Sequence, residues 1–336
     1  MSSWTPSPEI FQSSRSTVGS LFSAQAAAYP DRIAVKAGEN QLTYSQLEER
    51  SNRLAQLFLA RGLKPGDRVG LLAHNCLEYL EVELAAAKSG VILAALNWRL
   101  HARELSHCIN LVEPKLIILQ SALRDDLDAL DILVSDFVEL GSEYESTLSS
   151  SSSERPVVGV DPEDGLVILY TSGTTGLPKG ALISHRAMIA RGMCFATEQK
   201  IPQHDNFIAW APFYHMASTD QSLAILLRAG TVHAVDGYDP DKIIDIVEKT
   251  EMRFLVLMPG MVGNFADAFR ARQAKAAGVG ICGAMADLVP KAEIAAATAC
   301  LNAPYVNTFG ATETGLPPAS SGVIPVGVAP SSLSKK

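Results

Sequence analysis

Short apolar runs alternate with longer amphipathic stretches along nearly the whole chain, and this alternation limits the fold more than any other feature. Arg32–Val35, Arg68–Leu72, Val91–Leu96 and Lys115–Leu119 read as strands, with helical stretches at about Leu77–Lys88 and Ala102–Leu111 between them. Strands separated by helices of this length need crossover connections, so a largely parallel sheet covered by helices is expected. Local punctuation supports it. Thr43 supplies an N-cap oxygen with Gln46 three places on, Leu47, Leu54 and Phe58 share one helix face, and Gly62 with Pro65-Gly66 ends the helix.

A second alternating series follows. It runs through a strand at Leu166–Tyr170, a glycine-rich loop, a helix from Ser184, a strand at Phe207–Trp210 and a helix capped by Ser218 that ends at Gly230. Next come a strand at Thr231–Val235, a helix with Asp239 as N-cap and Pro240 at its first position, and strands at Phe254–Met258, Val279–Cys282 and Tyr305–Thr308. The expected fold class is α/β, with two largely parallel sheets flanked by helices. The first lobe takes residues 1–165, the second 166–315, and 316–336 reads as the start of an incomplete β region. Between the series, eight carboxylates from Asp125 to Glu145 precede five serines, Ser149–Ser153. That stretch reads as a solvated acidic helix followed by a mobile surface loop.

Composition narrows the partners. At 336 residues and 47% hydrophobic, the chain is long enough for two cores. Its 28 Lys+Arg against 36 Asp+Glu give a net charge of −8, which leaves no basic field for nucleic acid. Five cysteines, never paired as C-x-x-C, fit reduced thiols in a cytoplasmic protein rather than a disulfide framework or a zinc site. No signal peptide is evident in Met1–Ser16, and the longest apolar run, Val82–Trp98, is broken by Lys88 and Gly90, so no membrane span is expected.

Three segments carry chemistry. In Leu169–Gly180 an apolar strand enters a loop with three glycines, four hydroxyls and Lys179. Glycines let backbone amides curl around an anion, hydroxyls add donors and the lysine a movable charge, which together suit a polyphosphate. Leu177-Pro178 separates Gly176 from Lys179, so the loop is not a Walker A motif. In Asn307–Thr314 the lone carboxylate of Glu313 amid hydroxyls suits Mg²⁺, which takes one or two carboxylates together with phosphate oxygens. In Trp210–Met216 a strand ends in aromatic residues around His215.

In this order these segments resemble the adenylate-forming superfamily of acyl- and aryl-CoA synthetases, peptide-synthetase adenylation domains and firefly luciferase. Tyr170–Gly180 followed by Ser184-His185 is similar to its phosphate loop, and Phe309-Gly310-Ala311-Thr312-Glu313 to its aromatic-Gly-x-Thr-Glu motif. Pro212-Phe213-Tyr214-His215 resembles its Pro-x-x-His, and Leu42–Leu47 its early Leu-Thr-Tyr-x-x-Leu. Asn97-Trp98-Arg99-Leu100 resembles the Asn-x-Arg-Leu of CoA ligases.

The resemblance implies that a carboxylate attacks the α-phosphate of ATP, giving an acyl-adenylate and pyrophosphate, and that coenzyme A then takes the acyl group. It implies that Thr171, Ser172, Gly173, Thr174, Thr175, Gly176 and Lys179 hold the departing phosphates, that Thr312 touches the α-phosphate and that Glu313 binds Mg²⁺. Gly283, Ala284, Met285, Asn307, Thr308, Phe309, Gly310 and Ala311 would line the nucleotide slot. A small carboxylic acid would meet Trp210, Tyr214, His215, Met216, Ser218, Thr219, Met258, Pro259 and Gly283. Asp220 is a candidate partner for a cationic or hydroxylated acid. The catalytic candidates are His215, Thr312, Glu313 and Lys179.

The chain departs from the family after Glu313. No Thr-Gly-Asp segment follows, and the only later lysines are Lys335 and Lys336, so the β-barrel part and the small C-terminal domain with its catalytic lysine, which the resemblance implies, are expected to lie outside these residues. The expectation is an N-terminal portion of an AMP-forming acid–thiol ligase that adenylates poorly alone. Loading of a carrier protein and non-catalytic nucleotide binding are the alternatives.

Overall fold

A computed structural model describes residues 14–171, 176–284, 289–318 and 321–329. Its strands are β1 (Ile33–Ala37), β2 (Asn40–Thr43), β3 (Arg68–Leu72), β4 (Ile92–Ala95), β5 (Leu116–Gln120), β6 (Phe137–Leu140), β7 (Gly165–Thr171), β8 (Lys179–Ser184), β9 (Asn206–Ala209), β10 (Thr231–Ala234), β11 (Met252–Val256), β12 (Val279–Ala284), β13 (Tyr305–Thr308) and β14 (Ser321–Ile324). Its helices are α1 (Val18–Ala28), α2 (Tyr44–Ala60), α3 (Leu77–Ser89), α4 (Ala102–Val112), α5 (Arg124–Asp128), α6 (Ser142–Ser150), α7 (His185–Glu198), α8 (Met216–Leu226), α9 (Pro240–Lys249), α10 (Val262–Ala271) and α11 (Lys291–Leu301).

The chain forms two compact units, one of residues 1–32 and 42–190 and one of residues 33–41 and 191–336. The first holds a six-stranded sheet in the order β6-β5-β3-β4-β7-β8. All its pairs are parallel except β7 with β8. The expected boundary after residue 165 falls inside this unit, because β7 pairs with β4 through Leu93↔Val167 to Ala95↔Leu169. Lys179–Ser184, expected as loop and helix start, is instead the edge strand β8. A strand cannot be told from a loop here, because an exposed lysine and a glycine open it and Ile183 is its one buried residue.

The second unit holds two four-stranded sheets, β2-β1-β10-β9 and β11-β12-β13-β14, so the described residues form three sheets rather than the two expected. The early strand β1, expected in the first lobe, pairs in parallel with β10. Side chains join β9 to β11 where no backbone ladder does. The Asp205 carboxylate accepts from Arg253 N–H at 3.1 Å, and Asn206 Nδ2 donates to Glu251 O at 3.0 Å.

Where the signals are local, expectation and structure agree. Thr43 and Gln46 form a reciprocal capping box at the start of α2, and Asp239 accepts from Asp241 and Lys242 N–H ahead of Pro240. The serine run is a correction. It completes α6 and then docks on α2, with Arg53 donating to Ser151 O, Asn52 to Ser153 O and Gln56 to Glu154 O. The acidic stretch also contains β6, which extends the sheet beside β5.

Candidate active site

The glycine-rich loop joins two antiparallel strands, with Tyr170 opposite Gly180 and Thr171 opposite Lys179. Ser172, Gly173, Thr174 and Thr175 lie outside the described residues. Gly176 has φ +89°, a left-handed conformation that only glycine adopts without strain. An added Cβ on Gly180 would stand 2.9 Å from Ile168 Cγ2, which keeps that position small. Pro178 is buried and Lys179 exposed. In the chain, β8 follows the loop before α7 begins. The loop's means of holding an anion are backbone amides, hydroxyls and the Lys179 ammonium.

His185, in the sequence next to Ser184, is fully buried, and its Nδ1 accepts from Val18 N–H at 3.3 Å. Burial holds its pKa down at about 4, so the ring is a neutral part of the scaffold.

In the second unit the parallel strands β11, β12 and β13 bring Met258, Gly283–Ala284 and Phe309 to the carboxyl edge of one sheet, where open α/β sheets bind ligands. A Cβ on Gly283 would stand 2.3 Å from Val306 O, so only glycine lets the two strands approach this closely. Met285 lies outside the described residues, and Thr308 and Ala284 are placed by backbone alone. Asn307 is half-buried and Phe309 63% exposed. Ala311 and Gly315 close a tight turn over Thr312-Glu313-Thr314. Ala311 N–H donates to Gly315 O at 3.1 Å, and Gly315 N–H donates back at 2.8 Å. Gly310 is held small by Gly315 O, 2.8 Å from its would-be Cβ. Thr312 is half-buried and Glu313 exposed.

His215 is the N-cap of α8, where Ser218 was expected. Its Nδ1 accepts from Ala217 N–H at 3.1 Å. An accepting Nδ1 carries no proton, and desolvation also lowers the ring's pKa although its outer surface is exposed. Ser218 Oγ donates to Ala211 O at 2.6 Å and Thr219 Oγ1 to Phe213 O, so both hydroxyls fold the Trp210–Tyr214 segment back on α8. Trp210 is buried and donates Nε1–H to Val256 O at 2.8 Å, with Tyr238 edge-on at 5.4 Å. Tyr214, Met216, Met258 and Pro259 are the half-buried members of the predicted acid-binding set.

Asp220 is only 7% exposed and faces a cation of this protein, Arg191, whose Nη1 lies 3.3 Å from its Oδ2. That pairing corrects the expectation of a carboxylate open to a substrate ammonium. Burial still pushes its pKa up to about 6 against the pull of Arg191, and Oδ1 has no partner. Arg191 Nη2 also donates to Thr312 O at 2.9 Å. A Cβ on Gly315 would stand 2.8 Å from Arg191 Cδ, so the turn and the arginine are fitted to each other. Sequence reading missed Arg191, since nothing in an isolated helix marks which residue meets positions 220 and 312.

Among the described residues no three His, Cys, Asp or Glu converge as a metal site, so a cation at Glu313 would need phosphate oxygens to complete its shell. Among them also, no helix is long and apolar enough to cross a membrane.

These elements define an α/β protein with ligand-accessible strand ends, and known structures match the fold. The chain superposes on the N-terminal domain of FACL13 from Mycobacterium tuberculosis, in an inhibitor-bound crystal structure, with TM-score 0.82 and 25% identity over 88% of this chain and 76% of that one. Residues 22–328 match the profile of the AMP-binding enzymes, and the chain belongs to that family. Feruloyl-CoA synthase of Amycolatopsis is 30% identical over 76% of this chain and 52% of its own length. Indoleacetate–CoA ligase of Aromatoleum aromaticum is 29% identical over 86% and 58%. The chain thus spans a little over half the length of these relatives.

Proposed function

We propose that the chain supplies the ATP- and acid-binding portion of an AMP-forming acyl- or aryl-CoA ligase. The observation that carries this reading is the glycine loop between β7 and β8, with Gly176 at φ +89° and Lys179 exposed at its end, in a chain of the AMP-binding family. Thr171, Gly176 and Lys179, with Ser172–Thr175, hold the β- and γ-phosphates of ATP. Displacement at the α-phosphate places charge on the departing pyrophosphate, and fixed donors spread that charge. Thr312 meets the α-phosphate and Glu313 the Mg²⁺ that arrives with the nucleotide and neutralises its oxygens. Gly283, Ala284, Met285, Asn307, Thr308, Phe309, Gly310 and Ala311 form the purine side.

The acid is apolar or aromatic. Ser218, Thr219 and Asp220 already bond within the protein, which leaves Tyr214, Met216, Met258 and Pro259 as the half-buried contact surface, with neutral His215 beside the carboxylate. The thiol is CoA, as the names of feruloyl-CoA synthase and indoleacetate–CoA ligase have it for those relatives. A carrier protein is a second reading, favoured by the 28% identity over 87% of this chain to the fatty acid–[acyl-carrier-protein] ligase ScoC of Streptomyces coeruleorubidus.

The test is titration with acyl-adenylate mimics in which a sulfamate replaces the phosphate. A feruloyl, indoleacetyl or dodecanoyl mimic should bind at least about ten-fold more tightly than AMP, as transition-state-like ligands do. Equal binding of mimic and AMP, or no binding of either, would sink the reading.

A further inference from the structure

Two consecutive residues of α4 reach the two shoulders of the glycine loop. Tyr170, at the end of β7, donates its phenol O–H to Cys108 O at 3.0 Å. On the other side His107 Nε2 lies 3.1 Å from Pro178 O, one residue before β8. A carbonyl only accepts, so Nε2 is the protonated nitrogen of His107. Cys108 O has a second lone pair, so it takes the phenol in addition to its helix bond.

The helix that carries both ties is itself well held. Leu105, Cys108 and Ile109 are buried in one cluster with Leu72, Leu96, Ile117 and Leu119. The second shoulder is held to β7 by the strand ladder, with Thr171 opposite Lys179, and Pro178 is buried, but its packing towards α4 is open. A groove of about 550 Å³ separates it from α4, lined by His107, Leu111, Ile168, Leu177 and Leu182, and Leu111 and Leu182 are half or more exposed. Across that groove, the His107–Pro178 hydrogen bond ties the shoulder to the helix.

We propose that His107 is a positioning residue for Lys179, acting through the Pro178 carbonyl, while Tyr170 fixes the opposite shoulder. The proposal rests on the reading of Lys179 as a phosphate ligand. A shoulder already held in place spares the ligand the loss of ordering it, so the tie raises affinity without touching nucleotide.

The experiment compares His107→Ala, His107→Gln and Tyr170→Phe in the full chain. It reads amide hydrogen exchange at Leu177, Lys179 and Gly180 without nucleotide, then Mg·ATP affinity. His107→Ala should speed exchange and weaken Mg·ATP binding, each by about five-fold, the worth of one neutral hydrogen bond. The melting temperature should fall by no more than about 2 °C, the shift that losing one such bond gives in a chain of this size. Gln keeps an N–H donor and should restore both, and Tyr170→Phe should match His107→Ala in direction. Exchange in His107→Ala equal to the parent, or His107→Gln as impaired as the alanine variant, overturns the proposal. So does an affinity loss that only tracks a fall in melting temperature. A parent chain that binds no Mg·ATP would end the phosphate reading, while the exchange data alone would still decide the tie.

Discussion

Each unit buries a cation, and the two are put to different use. In the first, Lys88 has no exposed side-chain surface and its ammonium meets Glu48 Oε2 at 2.7 Å, Ser51 Oγ at 2.6 Å, Asn52 Oδ1 at 2.8 Å and Glu48 O at 3.1 Å. Every proton it carries is used on α2, so the charge fastens one helix to another. In the second, Arg191 divides its guanidinium between Asp220 and the carbonyl of Thr312, and leaves Asp220 Oδ1 unpaired. A compact ammonium closes a scaffold, whereas a planar fork bridges a helix and a turn that carries candidate site residues.

The largest effect should come from breaking the scaffold pair. Lys88→Met takes the cation from a largely buried Glu48 carboxylate, which keeps its bond from Ser23 Oγ at 2.8 Å, and should lower unfolding free energy by about 3 kcal/mol, read from urea midpoints at constant slope. Binding of the acyl-adenylate mimic by the folded protein should not change. A loss below about 1 kcal/mol would show that α2 and α3 are held by packing alone.

Arg191→Lys should add a loss of binding to the loss of stability. A single ammonium cannot present the two-pronged geometry that reaches both Asp220 Oδ2 and Thr312 O, so stability should fall by about 2 kcal/mol and mimic affinity by about ten-fold. Retained affinity in a destabilised variant would make Arg191 a second scaffold cation and erase the contrast between the units.

What was legible beforehand follows the range of the interactions. Thr43–Gln46 and Asp239-Pro240 could be read because a cap and its partner lie within three residues. The docking of Ser151–Glu154 on α2 could not, since its partners Asn52, Arg53 and Gln56 are about a hundred residues away in sequence. The site divides the same way. Motif positions such as Gly176, Gly283 and Glu313 could be named from local pattern, and glycine is required at two of them by φ or by close approach. The occupation of Asp220 by Arg191 and the attachment of Pro178 to His107 arise only when separate elements meet.

Two buried groups respond to acid in opposite senses. His185 in the first unit is buried neutral with a pKa near 4, against 6.5 when unfolded. Below pH 6.5 the unfolded chain takes up a proton that the folded chain refuses, so stability falls as pH drops from 6.5 towards 4. Asp220 in the second unit has the opposite sense. Its pKa of about 6 lies above the unfolded 3.8, so over that interval the folded chain binds the extra proton and gains stability as pH falls. His185→Gln keeps an acceptor for Val18 N–H and should recover about 1 to 2 kcal/mol of the loss between pH 6.5 and 5, measured by urea unfolding at each pH. An unchanged slope would mean that His185 is protonated in the folded protein.

The smallest effect sharpens the contrast from the surface side. Arg50 bridges buried Glu81 at 2.5 Å and exposed Glu145 at 2.5 Å, and buried Tyr144 donates to Glu81 at 2.7 Å. The bridge therefore has one desolvated arm and one in water. Glu145→Gln removes only the wet arm, whose charge is screened and whose side chain is about half exposed, so it should change stability by less than about 0.5 kcal/mol and still less at high salt. The dry arm keeps Arg50 in place, since Glu81 would otherwise be a buried carboxylate with only the Tyr144 hydroxyl for company. A loss of 2 kcal/mol or more in Glu145→Gln, insensitive to salt, would place the weight of the network on its outer arm. Buried charge in the first unit would then depend on the surface of α6, and the distinction drawn from Lys88 would not extend beyond that one residue.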